Sequence, residues 1–236
     1  MRLIVTRPLP EGERTATALR RRGHQVLLAP LMRVEAVAAD LTGQWAAVIV
    51  TSANAPGALM PAERASLIGL PLFAVGRRSA EAAREAGFTA VQSAEGDVND
   101  LLRLLAERFA GTSAPLLYLA GEDRAADLPG ELARRGIVVK TAVVYRAVTT
   151  GFPPALIAAL EAGAVDAVLH YSRRSADNYL AGARAAGLLD RALSPRQICL
   201  SPQVAEPLAA AGAACIAVAA RPDEAALIDL IERPQG

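Results

Sequence analysis

Hydrophobic residues in this chain gather into short unbroken runs. Leu3-Ile4-Val5-Thr6, Gln25-Val26-Leu27-Leu28, Leu72-Phe73-Ala74-Val75, Leu116-Leu117-Tyr118-Leu119 and Ile137-Val138-Val139-Lys140 are five of them. Two longer ones are Trp45 to Ser52 and Val165 to Ser172. A continuous run, unlike one that alternates with polar residues, predicts a strand buried on both faces. Between the runs lie polar loops and alanine-rich stretches that read as helices. Strands alternating with helices predict parallel sheets covered on both sides, an α/β fold.

The pattern occurs twice. Leu116-Leu117-Tyr118-Leu119 repeats Leu3-Ile4-Val5-Thr6, and each is followed by a loop with an arginine (Arg124, Arg7) and a helix-like stretch. Those stretches end alike, in Arg20-Arg21-Arg22-Gly23 and Arg134-Arg135-Gly136. Glycine after arginines is a helix C-terminal signal: glycine tolerates a left-handed backbone, and the cations offset the helix dipole. Trp45 to Ser52 parallels Val165 to Ser172, and Leu72 to Ala80 parallels Ile198 to Ala205. Asp97 to Leu105 and Asp223 to Ile231 read as matching final helices. The chain is a duplicated α/β protein.

Two divisions fit this repeat. One cuts at Gly111-Thr112-Ser113-Ala114-Pro115 and gives sequential halves. The other, preferred here, treats the β-branched segments 32–37 and 143–148 as a two-stranded antiparallel linker. Residues 38–142 then hold five strand candidates, enough for a flavodoxin-like sheet, and residues 1–31 with 149–236 form a second, discontinuous domain. In open parallel sheets ligands bind beyond the carboxyl ends of the strands, and with two domains the default site is the cleft between them.

Composition narrows the chemistry. Lys and Arg number 25 and Asp and Glu 24, a formal net charge of +1, with 4% aromatic residues. This lacks the basic footprint and stacking surface of a nucleic-acid binder. No stretch approaches the ~20 apolar residues of a membrane span, and no signal-peptide pattern opens the chain, so a cytoplasmic protein is expected. Cys199 and Cys215 match no metal knuckle or redox pair. With two histidines, His24 and His170, and no Walker A, Gly-x-Gly-x-x-Gly or Gly-x-Ser-x-Gly sequence, nucleotide, hydrolase-triad and metal chemistry have no foothold. Only Lys140 among the basic residues is lysine, so a single arginine is by default ordinary surface charge.

What remains is a set of anion-receptive loops. Thr51-Ser52-Ala53-Asn54, Gly76-Arg77-Arg78-Ser79, Ser172-Arg173-Arg174-Ser175 and Ser201-Pro202-Gln203 each follow a strand and precede a helix. Helix N-termini offer free N–H groups and the positive end of the dipole. Ser52, Ser79, Ser172 and Ser201 read as caps whose neighbouring amides bind, and Arg7, Arg77, Arg124 and Arg173 as carboxylate contacts. Together they suggest a polyanionic small molecule held largely by backbone donors.

These residues resemble the uroporphyrinogen-III synthase family. The landmarks are Val5-Thr6-Arg7-Pro8, Val50-Thr51-Ser52-Ala53-Asn54, Ala74-Val75-Gly76 with Ser79-Ala80, Gly121 with Arg124 and Leu128, Val144-Tyr145, Ser172, and Pro202 with Ala205 and Leu208. The resemblance spans nearly the whole chain. It implies two flavodoxin-like domains on a two-stranded linker and no metal or organic cofactor; a monomer is expected because no heptad or long apolar surface helix asks for a partner. It also implies a reaction in which hydroxymethylbilane, a linear tetrapyrrole polycarboxylate, loses water and closes with inversion of ring D. Tyr145 is implied as the acid that assists loss of the hydroxyl; Arg7, Thr51, Ser52, Arg77, Ser79, Arg124, Ser172, Arg173 and Ser201 are expected to contact the substrate from their places after strands, Arg173 being less usual in the family. Val204 departs from the family, which usually carries a hydroxyl there. That departure leaves room for a non-catalytic tetrapyrrole-binding paralogue. A two-lobed anion-binding module of periplasmic type is the third reading.

Overall fold

A computed structural model of the chain describes residues 1–124 and 127–232. The amino-terminal part runs β1 (Arg2–Val5), α1 (Glu11–Arg21), β2 (Gln25–Leu28) and β3 (Met32–Ala36). Next come β4 (Ala47–Val50), α2 (Asn54–Ala58), α3 (Pro61–Leu67), β5 (Leu72–Ala74), α4 (Arg77–Glu85), β6 (Val91–Ser93) and α5 (Val98–Phe109). These lead to β7 (Leu116–Gly121), α6 (Leu128–Ala133) and the long β8 (Val139–Thr149). The rest is α7 (Pro154–Glu161), β9 (Ala167–His170), α8 (Arg173–Ala185), α9 (Leu189–Leu193), β10 (Arg196–Cys199), α10 (Pro202–Ala210), β11 (Ile216–Val218) and α11 (Glu224–Glu232).

The chain separates into two compact units: Met1–Arg33 with Val148–Gly236, and Val34–Ala147. The first holds a parallel sheet in the order β11-β10-β9-β1-β2. Counted along the chain within the unit, this is the doubly wound order 2-1-3-4-5. The second holds β3-β8-β7-β4-β5-β6, with β8 through β6 parallel. Its five parallel strands repeat the first sheet once β7 is matched with β1 and β4 with β9. A cut at 111–115 would part β7 from β4, its ladder partner from Ala47↔Leu116 to Val50↔Leu119.

Each strand run is apolar on both faces because helices cover both. In the first unit Leu3 and Val5 join Leu169, Ile198 and Leu227 on one side, while Ile4 joins Leu156, Val168 and Tyr179 on the other. In the second, Val48 and Val50 pack with Leu72 and Leu119, and Ala47 and Ile49 with Phe73, Leu101 and Leu116. Successive side chains of a strand point to opposite faces, so an unbroken run is the signature of a two-sided core.

Three local readings change. The sequence suggested separate segments at 137–140 and 143–148, but one eleven-residue strand, β8, runs from Val139 to Thr149. Ile137 does not join it because its N–H bonds back to Leu132 O (3.1 Å), closing α6 around Gly136 at φ +75°. Ser79 does not cap α4. Gly76 holds the N-cap position, and Ser79 lies in the first turn, 6% exposed. Ser201 occupies the N-cap of α10, ahead of Pro202, and makes no side-chain cap bond. Ser172 does cap α8, accepting from Ser175 N at 3.1 Å while Ser175 Oγ accepts from Ser172 N.

Candidate active site

In the second unit the strand order reverses between β7 and β4, the place where an open sheet leaves a crevice beyond its carboxyl ends. A cavity of about 250 Å³ lies there. Thr51 and Ser52, just past β4, line it with Tyr118 and Gly121 of β7, Arg124 in the following loop, and Tyr145 of β8. Thr51, Ser52, Arg124 and Tyr145 were expected from sequence; Tyr118 was not. Val98, Asp123 and Leu128 complete the wall.

Each polar group has a local reason to be where it is. The β7–β8 ladder shifts register after Ala120, so Gly121 pairs with Tyr145, and Glu122 N donates to Tyr145 O at 3.0 Å. A Cβ on Gly121 would sit 2.6 Å from Tyr145 Cζ and 2.8 Å from its hydroxyl. Glycine is therefore what lets the phenol lie over the strand end. Ser52 is not the cap expected of it: Ala53 holds the N-cap of α2, and Ser52, one residue earlier, accepts from Asn54 N at 3.2 Å and fixes the turn into the helix. Tyr118 is 3% exposed, and its hydroxyl meets Thr51 Oγ1 at 2.7 Å. Burial raises the Tyr118 phenol above its ordinary value, outweighing its hydrogen bond with Thr51, so it stays protonated.

Arg77 and Ser79 sit one strand further along the same sheet, at the start of α4, and do not line this cavity. Arg77 is exposed and has no ion-pair partner among the described residues. A cation in a first helical turn opposes the dipole; its placement is not one that helix stability selects.

The first unit has the corresponding place between β1 and β9, and side chains near it bond to one another. Arg7 stacks on the Tyr171 ring, 4.3 Å from Cζ to the centroid, and pairs with Glu224 Oε1 at 3.3 Å. The Thr15 hydroxyl bonds to the same oxygen, and the Tyr171 hydroxyl reaches it at 3.3 Å. Burial, with Glu224 beside it, raises the Tyr171 phenol, which therefore donates to the carboxylate. Arg7, expected to meet a ligand carboxylate, is held by one from its own chain. Arg173, in the first turn of α8, is likewise paired with Glu206. Ser172 is consumed by capping, and Ser201 is half-buried at the start of α10. Val204, where the family usually carries a hydroxyl, is 4% exposed and packs within an apolar cluster that includes Val168 of β9 and Cys199 of β10.

Among the described residues no three His, Cys, Asp or Glu side chains come together in a way that could hold a metal ion. No helix there is long and apolar enough to cross a membrane.

A family model described as uroporphyrinogen-III synthase HemD matches residues 13–229. Among solved structures, the uroporphyrinogen-III synthetase of Helicobacter pylori 26695 is 19% identical, over 98% of this chain and 99% of that one, with a TM-score of 0.65. At that identity the likeness is one of fold. The wild-type uroporphyrinogen III synthase of Thermus thermophilus is 21% identical over 98% and 95% of the two chains, with a TM-score of 0.40. A search of curated proteins finds no match.

Proposed function

Because this chain belongs to the uroporphyrinogen-III synthase family, an enzyme family of tetrapyrrole biosynthesis, we propose that its β7–β4 cavity seats one acid-bearing ring of hydroxymethylbilane during closure to uroporphyrinogen III. The observation that carries this reading is the convergence of Tyr145, three further hydroxyls and Arg124 on one cavity of about 250 Å³. Pockets for drug-sized ligands run from roughly 300 to 1,000 Å³, so this one suits a single substituted pyrrole and not four.

The chemistry follows from the substrate. The pyrrole nitrogen of ring A pushes out the hydroxyl of the hydroxymethyl arm. The C–O bond breaks, the hydroxyl leaves as water once it gains a proton, and an electrophilic azafulvene remains for ring D. Tyr145 is the acid in this reading: its phenolic O–H can donate to the leaving oxygen. Arg124 with Thr51 and Ser52 takes a carboxylate. Arg7, Arg77, Ser79, Ser172, Arg173 and Ser201 stand as further contacts for the remaining acid arms, Arg7 and Arg173 only after exchange of their internal partners. Much of the rate comes from holding the two chain ends together, since well-oriented intramolecular reactions reach effective molarities of roughly 10⁵–10⁸ M.

In the same reading, residues 32–37 and 143–148 link a 38–142 domain to one made of 1–31 and 149–236. The protein works as a cytoplasmic monomer without nucleic acid, and the net charge of +1 supports the last point.

Purified protein supplied with hydroxymethylbilane should release the type III isomer; type I alone would overturn the assignment. Tyr145→Phe should lower kcat at least about tenfold with thermal unfolding unchanged, and an unaltered kcat removes Tyr145 from the chemistry.

A further inference from the structure

Tyr118 stands in β7 among Leu116, Leu117, Leu119, Ala120 and Gly121, and it packs with Phe73 and Phe109 in the core of its unit. Phenylalanine would serve that packing equally well, so the hydroxyl needs its own account. It reaches across to the end of β4, where Thr51 Oγ1 is 2.7 Å away, and both side chains line the cavity.

Two hydroxyls carry two protons, and their mutual bond uses one. Among the described residues neither oxygen has another hydrogen-bond partner. Whichever hydroxyl donates, one O–H is left for an acceptor in the cavity. Arg124 lines the same cavity, and its charge is felt at Tyr118. An acceptor there therefore meets a guanidinium and a fixed O–H together. A carboxylate is the group that takes both.

We propose that Tyr118 is a positioning residue for substrate binding: it holds the Thr51 hydroxyl so that the Tyr118–Thr51 pair and Arg124 together seat one carboxylate of an acid-bearing pyrrole. The assignment rests on the reading of this cavity as a ring seat. Without the phenol oxygen, Thr51 is free to turn about χ1 among its rotamers, and a site of this kind depends on such support. The loss falls on binding and not on the bond that breaks.

The test compares wild type, Tyr118→Phe, Thr51→Val, the double variant and Thr51→Ser. One readout is KM and kcat with hydroxymethylbilane. The other is the calorimetric Kd of a monopyrrole bearing one acetate and one propionate arm. Tyr118→Phe and Thr51→Val should each raise KM and Kd about tenfold, the scale of a hydrogen bond to a charged group, with kcat within about twofold. The double variant should lose no more than either single one, because the pair acts as a unit, and Thr51→Ser should restore wild-type values. Unchanged KM and Kd in Tyr118→Phe, losses that add in the double variant, or a monopyrrole that binds none of the proteins would overturn the proposal. A wild type that yields only the type I product, with monopyrrole binding still weakened in Tyr118→Phe, would overturn the ring-closing function and support the role of Tyr118.

Discussion

Gly121 and Tyr145 form one unit of function at the smallest scale, because the phenol occupies the space a side chain at 121 would take. Gly121→Ala inserts a methyl 2.6 Å from Tyr145 Cζ. Overpacking of that kind costs about 1–3 kcal/mol and turns the phenol away from the cavity. Urea unfolding should report the stability loss, and kcat should fall at least about as far as in Tyr145→Phe. His170 gives a different prediction. Gln197 Nε2 donates to Ala192 O and Pro195 O, so its Oε1 accepts from His170 Nε2–H at 2.9 Å, and Nδ1 is buried without a partner. Burial lowers this imidazole from 6.5 to about 4. The unfolded chain therefore binds a proton that the native state refuses, and the stability present above pH 6.5 is lost as pH falls toward 4. That shift corresponds to about 3 kcal/mol. His24, lowered by burial and by the N-terminal amine, acts in the same direction. Urea titrations at pH 7 and 4.5 should show the drop, and His170→Gln should remove most of it.

At the scale of elements, helix starts divide into those that can be read locally and those that cannot. Asp97 accepts from Asn99 N at 2.7 Å and Asp100 N at 3.2 Å, while Asp100 accepts from Asp97 N at 2.8 Å. A cap of this kind needs only residues within a turn, so the sequence announces it. Asp97→Ala should cost about 1 kcal/mol, seen as a lower urea midpoint at unchanged slope, with activity retained. Ser79 misled because it lies three residues past Gly76, whose backbone takes the cap position without a side chain. β8 misled differently. Its two apolar segments looked like separate strands, and only the neighbouring β7 and β3 show that one strand carries both.

For the molecule as a whole, a formal charge of +1 gives little long-range steering, so recognition of a polycarboxylate falls to local cations. Arg124→Ala should raise KM several-fold and leave kcat nearly unchanged. Because an exposed ion pair is screened by salt, the wild-type KM should climb with ionic strength more steeply than that of the variant. The two units share one sheet order, yet their reversal points differ. In one, Arg7, Thr15 and Tyr171 close on Glu224; in the other, hydroxyls and Arg124 surround a cavity.

The strand runs, the duplication and the glycine-ended helices are legible in the sequence because each depends on residues close together along the chain. So are the polar residues just past strand ends, including Thr51, Ser52 and Arg124, whereas Tyr145, inside β8, is marked only by the family resemblance. The partners of those residues are not legible. Tyr118 and Thr51 lie 67 positions apart, and Arg7 and Glu224 lie 217 apart; a phenol in an apolar strand reads as core, and an arginine after a strand reads as free. Sheet order decides which strand ends become neighbours, and that order is a property of the packed molecule, set by long-range burial and not by any local run of residues.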